Sequence, residues 1–129
     1  MDTPDDLKYT NDHEWLKIEG NIATIGITDY AQEQLGDIVY VELPGENEEV
    51  TKDAAFGVIE SVKAVSDCFA PVSGRVIEIN DPLKESPETI NEDCYGEGWL
   101  IRVEMSNPSE VGELMDHTQY KAFVEEETA

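Results

Sequence analysis

A chain of 129 residues, 40% of them hydrophobic, fits one compact unit that buries enough surface to fold without staples. Thirty acidic residues against eight basic ones give a formal net charge of −22, which disfavours nucleic acid or an anionic membrane face as a partner. Cys68 and Cys94 form no C-x-x-C pair and suggest no disulfide framework, so both are read as small buried or half-buried residues. The acidity has two readings, steering toward basic partner surfaces or a solvated surface suited to a high-salt cytoplasm that screens self-repulsion. Asp2, Asp5 and Asp6 stand where a targeting peptide would carry basic residues, and no apolar run approaches a membrane span. A cytoplasmic location is the expectation, and a processed mitochondrial form would look similar.

In chain order, Leu7 to Tyr9, Glu14 to Glu19 and Ile22 to Ile27 read as strands, the last two joined by a turn at Gly20-Asn21. A short helix follows, with Thr28 or Asp29 as N-cap, Asp29 and Gln32 at capping-box spacing, and Gly36 as its left-handed stop. Asp37 to Leu43 returns as a strand that Pro44-Gly45 ends, and Glu46, Glu48 and Glu49 form an exposed acidic connection. Lys52-Asp53 turns the chain, since aspartate tolerates the left-handed region.

Residues from about 55 to 70 then read as a hairpin. Phe56, Val58, Ile59, Val62 and Val65 favour strands, while Ser61 to Ala64 are small or flexible enough to turn. Such a tip holds the Lys63 amine in solvent, where chemistry has to come from another enzyme or an attached group. Pro71 and Gly74 reverse the chain into the alternating strand Arg75 to Ile79, whose likeness to Asn21 to Ile25 hints at two similar halves. Ser86-Pro87-Glu88 has the order of N-cap, first helical residue and first-turn acid, so a brief helix should run to about Asn91. Trp99 to Met105 reads as a last strand, and about 108–126 as a helical segment. Trp15, Tyr30, Tyr40, Phe69 and Trp99 are expected in the core or on the wall of a groove.

The sequence offers little in the way of autonomous catalytic machinery. His13-Glu14 begins like a zinc-protease helix, but Lys17 stands where the second histidine is required. There is no G-x-S-x-G, no P-loop and no EF-hand spacing, and Gly96-Glu97-Gly98 lacks the third glycine of a dinucleotide site. No metal site and no catalytic residue is therefore expected.

The run Glu60-Ser61-Val62-Lys63-Ala64, followed by Ala70-Pro71-Val72-Ser73-Gly74, resembles the lipoyl-lysine hairpin of the glycine cleavage system H protein family. Tyr9, His13-Glu14-Trp15, Gly26 to Gln32, Leu35-Gly36-Asp37, Val41 to Pro44 and Tyr95 to Trp99 follow the family's order and spacing across residues 7 to 124. The resemblance implies a mainly β barrel-sandwich hybrid with short helical insertions and a C-terminal helical segment, residues 1–129 forming a single lipoyl-carrier domain. It implies lipoate bound as an amide on Lys63, with Glu60, Ser61, Val62 and Ala64 read by the lipoylating enzyme. Departures from the family pattern are Asp53, where glycine is usual, and Gln34, where some relatives have histidine.

The implied role is that of a non-catalytic swinging-arm shuttle in glycine catabolism and one-carbon metabolism. A pyridoxal-phosphate glycine decarboxylase would load an aminomethyl group onto the arm, and a tetrahydrofolate-dependent aminomethyltransferase would unload it. A dihydrolipoyl dehydrogenase would reoxidise the dithiol. Glu14 is the carboxylate expected to pair with the loaded ammonium, with Asp67 and Asp12 nearby; all three are otherwise surface acids in an acidic chain. A biotinyl carrier is disfavoured because Val62 and Ala64, not methionines, flank Lys63. A protein that relays lipoyl groups to other enzymes remains the alternative.

Overall fold

In the computed structural model, which describes residues 2–128, the alternating patterns become two antiparallel sheets. Residues 1 and 129 of the expected 1–129 unit lie outside the described residues. The strands are β1 (Lys8–Tyr9), β2 (Glu14–Glu19), β3 (Ile22–Ile27), β4 (Ile38–Glu42), β5 (Glu49–Val50), β6 (Ala55–Ser61), β7 (Val65–Phe69), β8 (Gly74–Ile79) and β9 (Ile101–Met105). One six-stranded sheet runs β1-β2-β3-β9-β8-β5, and a three-stranded sheet runs β4-β6-β7. Leu16, Ile25, Val76 and Val103 of the first sheet join Ile38, Val41 and Ile59 of the second in one buried cluster, as expected of a sandwich. The two segments that looked alike, β3 and β8, lie on either side of β9 and both pair with it antiparallel.

The helices are α1 (Asp29–Leu35), α2 (Thr89–Glu92) and α3 (His117–Thr128). Thr28 caps α1 by accepting from the Ala31 N–H, and Gln32 Nε2 donates to Asp29 Oδ1 at 2.8 Å. Gly36 closes it at φ 78°, a backbone region open to glycine. A second apolar cluster, Leu7, Tyr9, Trp15, Tyr120 and Val124, holds α3. Within it Tyr9 and Tyr120 stack at 4.7 Å, an arrangement that contributes about 0.5–1.5 kcal/mol beyond area burial.

Several sequence expectations are corrected. Ser86 does not cap α2. The helix begins at Thr89 with Glu88 in the cap position and no side-chain bond, because backbone bonds such as Thr89 N–H to Ser86 O already turn the chain. The last strand starts at Ile101, since the Trp99 N–H is used in a turn bond to Gly96 O.

The 108–126 segment is interrupted. Pro108–Glu113 is a 3-10 turn, Leu114 is extended, and Met115 exchanges two backbone bonds with Tyr9 before α3 starts. Asp116 caps α3 by a reciprocal pair: Gln119 N–H donates to Asp116 Oδ1 at 2.8 Å, and Asp116 N–H to Gln119 Oε1 at 2.9 Å. This is a capping box with Asp and Gln as its polar residues. Tyr40 is neither core nor groove wall, being 48% exposed.

Gly74 lets β8 lie close against β9. A Cβ there would collide with the Glu104 carbonyl oxygen and come within 2.7 Å of Val103 Cγ1. Gly74→Ala is expected to cost about 1–3 kcal/mol by overpacking, read as a fall of several degrees in Tm. An unchanged Tm would mean that β8 and β9 can part without loss.

Candidate functional site

Lys63 sits at the hairpin tip between β6 and β7, exposed together with Val62, Ala64 and Val65. The turn is held by small-residue chemistry, for Ser61 N–H donates to Ala64 O at 2.8 Å while Ser61 Oγ accepts from the Ala64 and Lys63 N–H groups. The tip is also tied to the body of the protein: Val62 N–H donates to Asp37 O at 3.0 Å. Lys63 therefore does not project freely into solvent along its whole length. Its side chain crosses Gly36 at the end of α1, where a Cβ would stand 3.3 Å from Lys63 Cε.

Asn91, a residue that sequence reasoning did not single out, fixes that platform. Its Oδ1 accepts from the Ile38 N–H at 2.9 Å, and its Nδ2 donates to Gly36 O at 2.8 Å and to Gln32 Oε1 at 3.0 Å. One side chain thus locks α1 to β4 beside the lysine. No local pattern announces it, because its partners lie more than fifty residues away in the chain.

Beside α1 and β7 lies a cleft of about 310 Å³. Ile27, Ala31, Leu35 and Ile59 give it apolar walls, and Asp12, Glu14 and Asp67 line it as well. The three acids named together in the sequence all line this cleft. They are not equivalent: Asp12 and Asp67 are exposed, whereas Glu14 is 2% exposed and cannot be counted among the surface acids.

Glu14 Oε2 accepts from the Phe69 N–H at 2.8 Å, linking β2 to the end of β7, and its Oε1 accepts from Thr10 Oγ1 at 3.3 Å. Burial pushes the carboxyl up to about 8, against the opposing pull of those two hydrogen bonds, with the negative charge of Asp12 adding to the rise. A rise of that size favours the protonated carboxyl at neutral pH. A cation entering beside it would favour the ionised form.

His13 forms the adjoining wall. Its backbone takes φ 65°, an uncommon conformation for a residue other than glycine, in the tight turn from Thr10 to Glu14. Its Nδ1 lies 2.8 Å from Tyr120 Oη and its Nε2 2.9 Å from Glu127 Oε2, both on α3. Tyr120 Oη is in turn 2.7 Å from Thr28 Oγ1, the cap of α1. These bonds join α3, the Glu14 turn and α1 around the cleft. The resemblance to a metalloprotease helix ends here, for His13 lies in a turn, and among the described residues no metal-ligating cluster forms. Cys68, at the cleft's inner wall, and Cys94 are both buried free thiols, with burial pushing Cys94 up to about 12.

The site fits an acyl arm on Lys63. An exposed amine lies beside a cleft with apolar walls and one buried acid, and the Gly36 platform leaves room for the lysine stem to cross. Gln34, the departure noted above, also lines this cleft and offers no charge to it.

Comparison with known proteins bears on the whole chain. A family model described as "Glycine cleavage H-protein" matches residues 7–127. A glycine cleavage system H protein of Anaeromyxobacter sp. (strain K) is 58% identical over 127 residues, covering 98% of this chain and 99% of the relative. A mitochondrial glycine cleavage system H protein 2 of Arabidopsis thaliana is 54% identical over 124 residues, covering 96% of this chain and 80% of that one. The crystal structure of a glycine cleavage system H protein from Mycobacterium marinum superposes with a TM-score of 0.85 at 42% identity, covering 92% of this chain and 96% of that one.

Proposed function

The chain belongs to the glycine cleavage H-protein family, and we propose that Lys63 is the residue on which it carries its lipoyl group. It is a non-catalytic lipoyl carrier and a component of the glycine cleavage system. The observation that carries the residue assignment is an exposed lysine, on a tip tied to Asp37, near a cleft with apolar walls that is lined by the buried acid Glu14.

When attached, a lipoyl group supplies a disulfide that opens on reduction and closes on reoxidation. The protein's own residues do the rest. Lys63 Nζ anchors the group as an amide and gives up its positive charge in doing so. Ile27, Ala31, Leu35 and Ile59 cover the arm and exclude water. Glu14, held by the Phe69 N–H and the Thr10 hydroxyl, receives the ammonium of the cargo, with Asp12 and Asp67 at the rim. Glu60, Ser61, Val62 and Ala64 are read by the lipoylating enzyme. Residues 1–129 act as one lipoyl-carrier unit.

The partners that follow are a pyridoxal-phosphate glycine decarboxylase, a tetrahydrofolate-dependent aminomethyltransferase and a dihydrolipoyl dehydrogenase. The bacterial relatives favour a cytoplasmic setting, and the mitochondrial plant relative makes the matrix its counterpart.

Intact-mass analysis and peptide mapping after co-expression with a lipoate ligase, followed by glycine-dependent CO2 exchange with the decarboxylase, test the reading. Lipoyl mass on Lys63 with restored exchange is expected. Modification at another lysine would overturn the site, and modification at Lys63 without exchange would point to a lipoyl relay.

A further inference from the structure

Among the described residues, four large apolar side chains are strongly exposed: Val39 at 54%, Tyr40 at 48%, Val62 at 69% and Val65 at 66%. All lie at one end of the three-stranded sheet. Val62 and Val65 flank Lys63, and Val39 and Tyr40 occupy the adjoining edge strand β4.

Register places Tyr40 and Val65 on one surface, and the exposed Val39 and Val62 adjoin them in the chain. Tyr40 is opposite Glu60 across β4 and β6, and Glu60 is opposite Val65 across β6 and β7. Residues directly opposite across a sheet project to the same side. The next row on that side is Glu42, Val58 and Asp67, while the intervening row contains the buried Val41 and Ile59. The outer face therefore carries Tyr40 and Val65 with Glu60 between them, and two further acids behind. Strands stand about 4.8 Å apart, so the patch is roughly 10 Å wide. A ladder irregularity between Ile38 and Tyr40 turns Val39 out of the regular pairing at its edge.

Glu42, Glu60 and Asp67 take part in none of the ion pairs formed among the described residues. In a chain of net charge −22 this leaves an apolar centre with an unneutralised acidic rim. Its complement is a protein face with an apolar depression bordered by Arg or Lys.

We propose that the Val39, Tyr40, Val62 and Val65 patch, with its Glu42, Glu60 and Asp67 rim, is the surface gripped by the enzyme that acylates Lys63. The proposal rests on the reading of Lys63 as the attachment site. Reach selects this occupant over the other partners. An acylating enzyme must close on Nζ itself, so its contact surface lies within one lysine side chain of the tip. Enzymes that act on the far end of an acylated arm meet it a further arm's length away.

The test measures initial rates of acylation of the unmodified protein by a purified lipoate ligase with lipoate and ATP, followed by intact mass across a range of protein concentrations. Tyr40→Ser with Val65→Ser, and separately Glu60→Lys with Asp67→Lys, are compared with the parent at matched Tm. Each pair should raise KM roughly tenfold, as loss of a contact hot spot does, with kcat little changed. The charge pair should lose its effect at high salt. A KM rise below threefold in both pairs, or a loss confined to kcat, with mass still added at Lys63, would overturn the docking surface and leave the attachment site standing. Mass added elsewhere in the parent protein would overturn the attachment site instead.

Discussion

Lys63→Arg is expected to abolish attachment of the lipoyl group and to reduce glycine-dependent CO2 exchange to background, while Tm stays at the parent value. Arginine keeps the positive charge, but its guanidinium stays protonated in proteins and presents no free amine to an acyl donor. Lys63 is exposed, and substitutions at such positions usually shift stability by no more than about 0.5 kcal/mol. The stem would still cross Gly36, and the tip bonds from Val62 to Asp37 and from Ser61 to Ala64 involve backbone that the change does not touch. The remaining lysines, Lys8, Lys17, Lys52, Lys84 and Lys121, serve as internal controls, because none lies on the hairpin. Lipoyl mass on any of them in the variant, with exchange preserved, would remove Lys63 from its role.

Glu14→Gln should give the second large effect, on cargo retention and on its pH dependence. The amide keeps the size of the acid and can still accept from the Phe69 N–H, but it cannot ionise. A hydrogen bond to a charged group contributes about 1.5–3 kcal/mol, so release of the amino-bearing cargo should speed up by roughly tenfold to a hundredfold. On the proposed role of Glu14, docking an ammonium in the parent protein ionises the carboxyl and sheds its proton. Docking should therefore strengthen as pH rises toward about 8 and level off above it, while the ammonium stays charged. The variant should show a flat profile over that range. Release rates that match the parent at every pH would end the assignment.

Folding stability supplies an independent readout of the same group. With its carboxyl raised to about 8 in the fold, the folded protein holds a proton between about 4.5 and 8 that the unfolded chain has lost. Stability from this group is full below the unfolded value and falls as pH rises through the folded one. The fall is on the order of a few kcal/mol. Glu14→Gln should remove that component, so that the stability difference between variant and parent grows in the variant's favour from acid to mildly alkaline pH.

The hairpin was legible because its signals are local. Strand-forming residues on both sides of Ser61 to Ala64 fix the turn, and the left-handed φ of 71° at Asp53 fits an aspartate-tolerant bend. The same holds for Thr28 and Gly36 at the two ends of α1. The Asp116 and Gln119 box is equally local, but an expected helical segment over about 108–126 leaves no place for a new N-cap at Asp116. Met115 breaks that segment through its pairing with Tyr9, more than a hundred residues earlier, which no window of sequence contains.

The sequence alone determined the mainly β class, the lysine at a hairpin tip and the family likeness, since each rests on residues close together or on their order along the chain. Tertiary structure decided which acid is buried. Glu14, Asp12 and Asp67 are the same kind of group in the sequence, and only the Phe69 N–H arriving from β7 and the walls of α1 and β3 set Glu14 apart. It also decided that Tyr40 faces outward beside Val65, because the side a residue faces depends on strand register, and register here is set by core residues such as Ile59 and Val41. Burial and register are properties of pairs far apart in the chain, so they appear only once the sheets have closed.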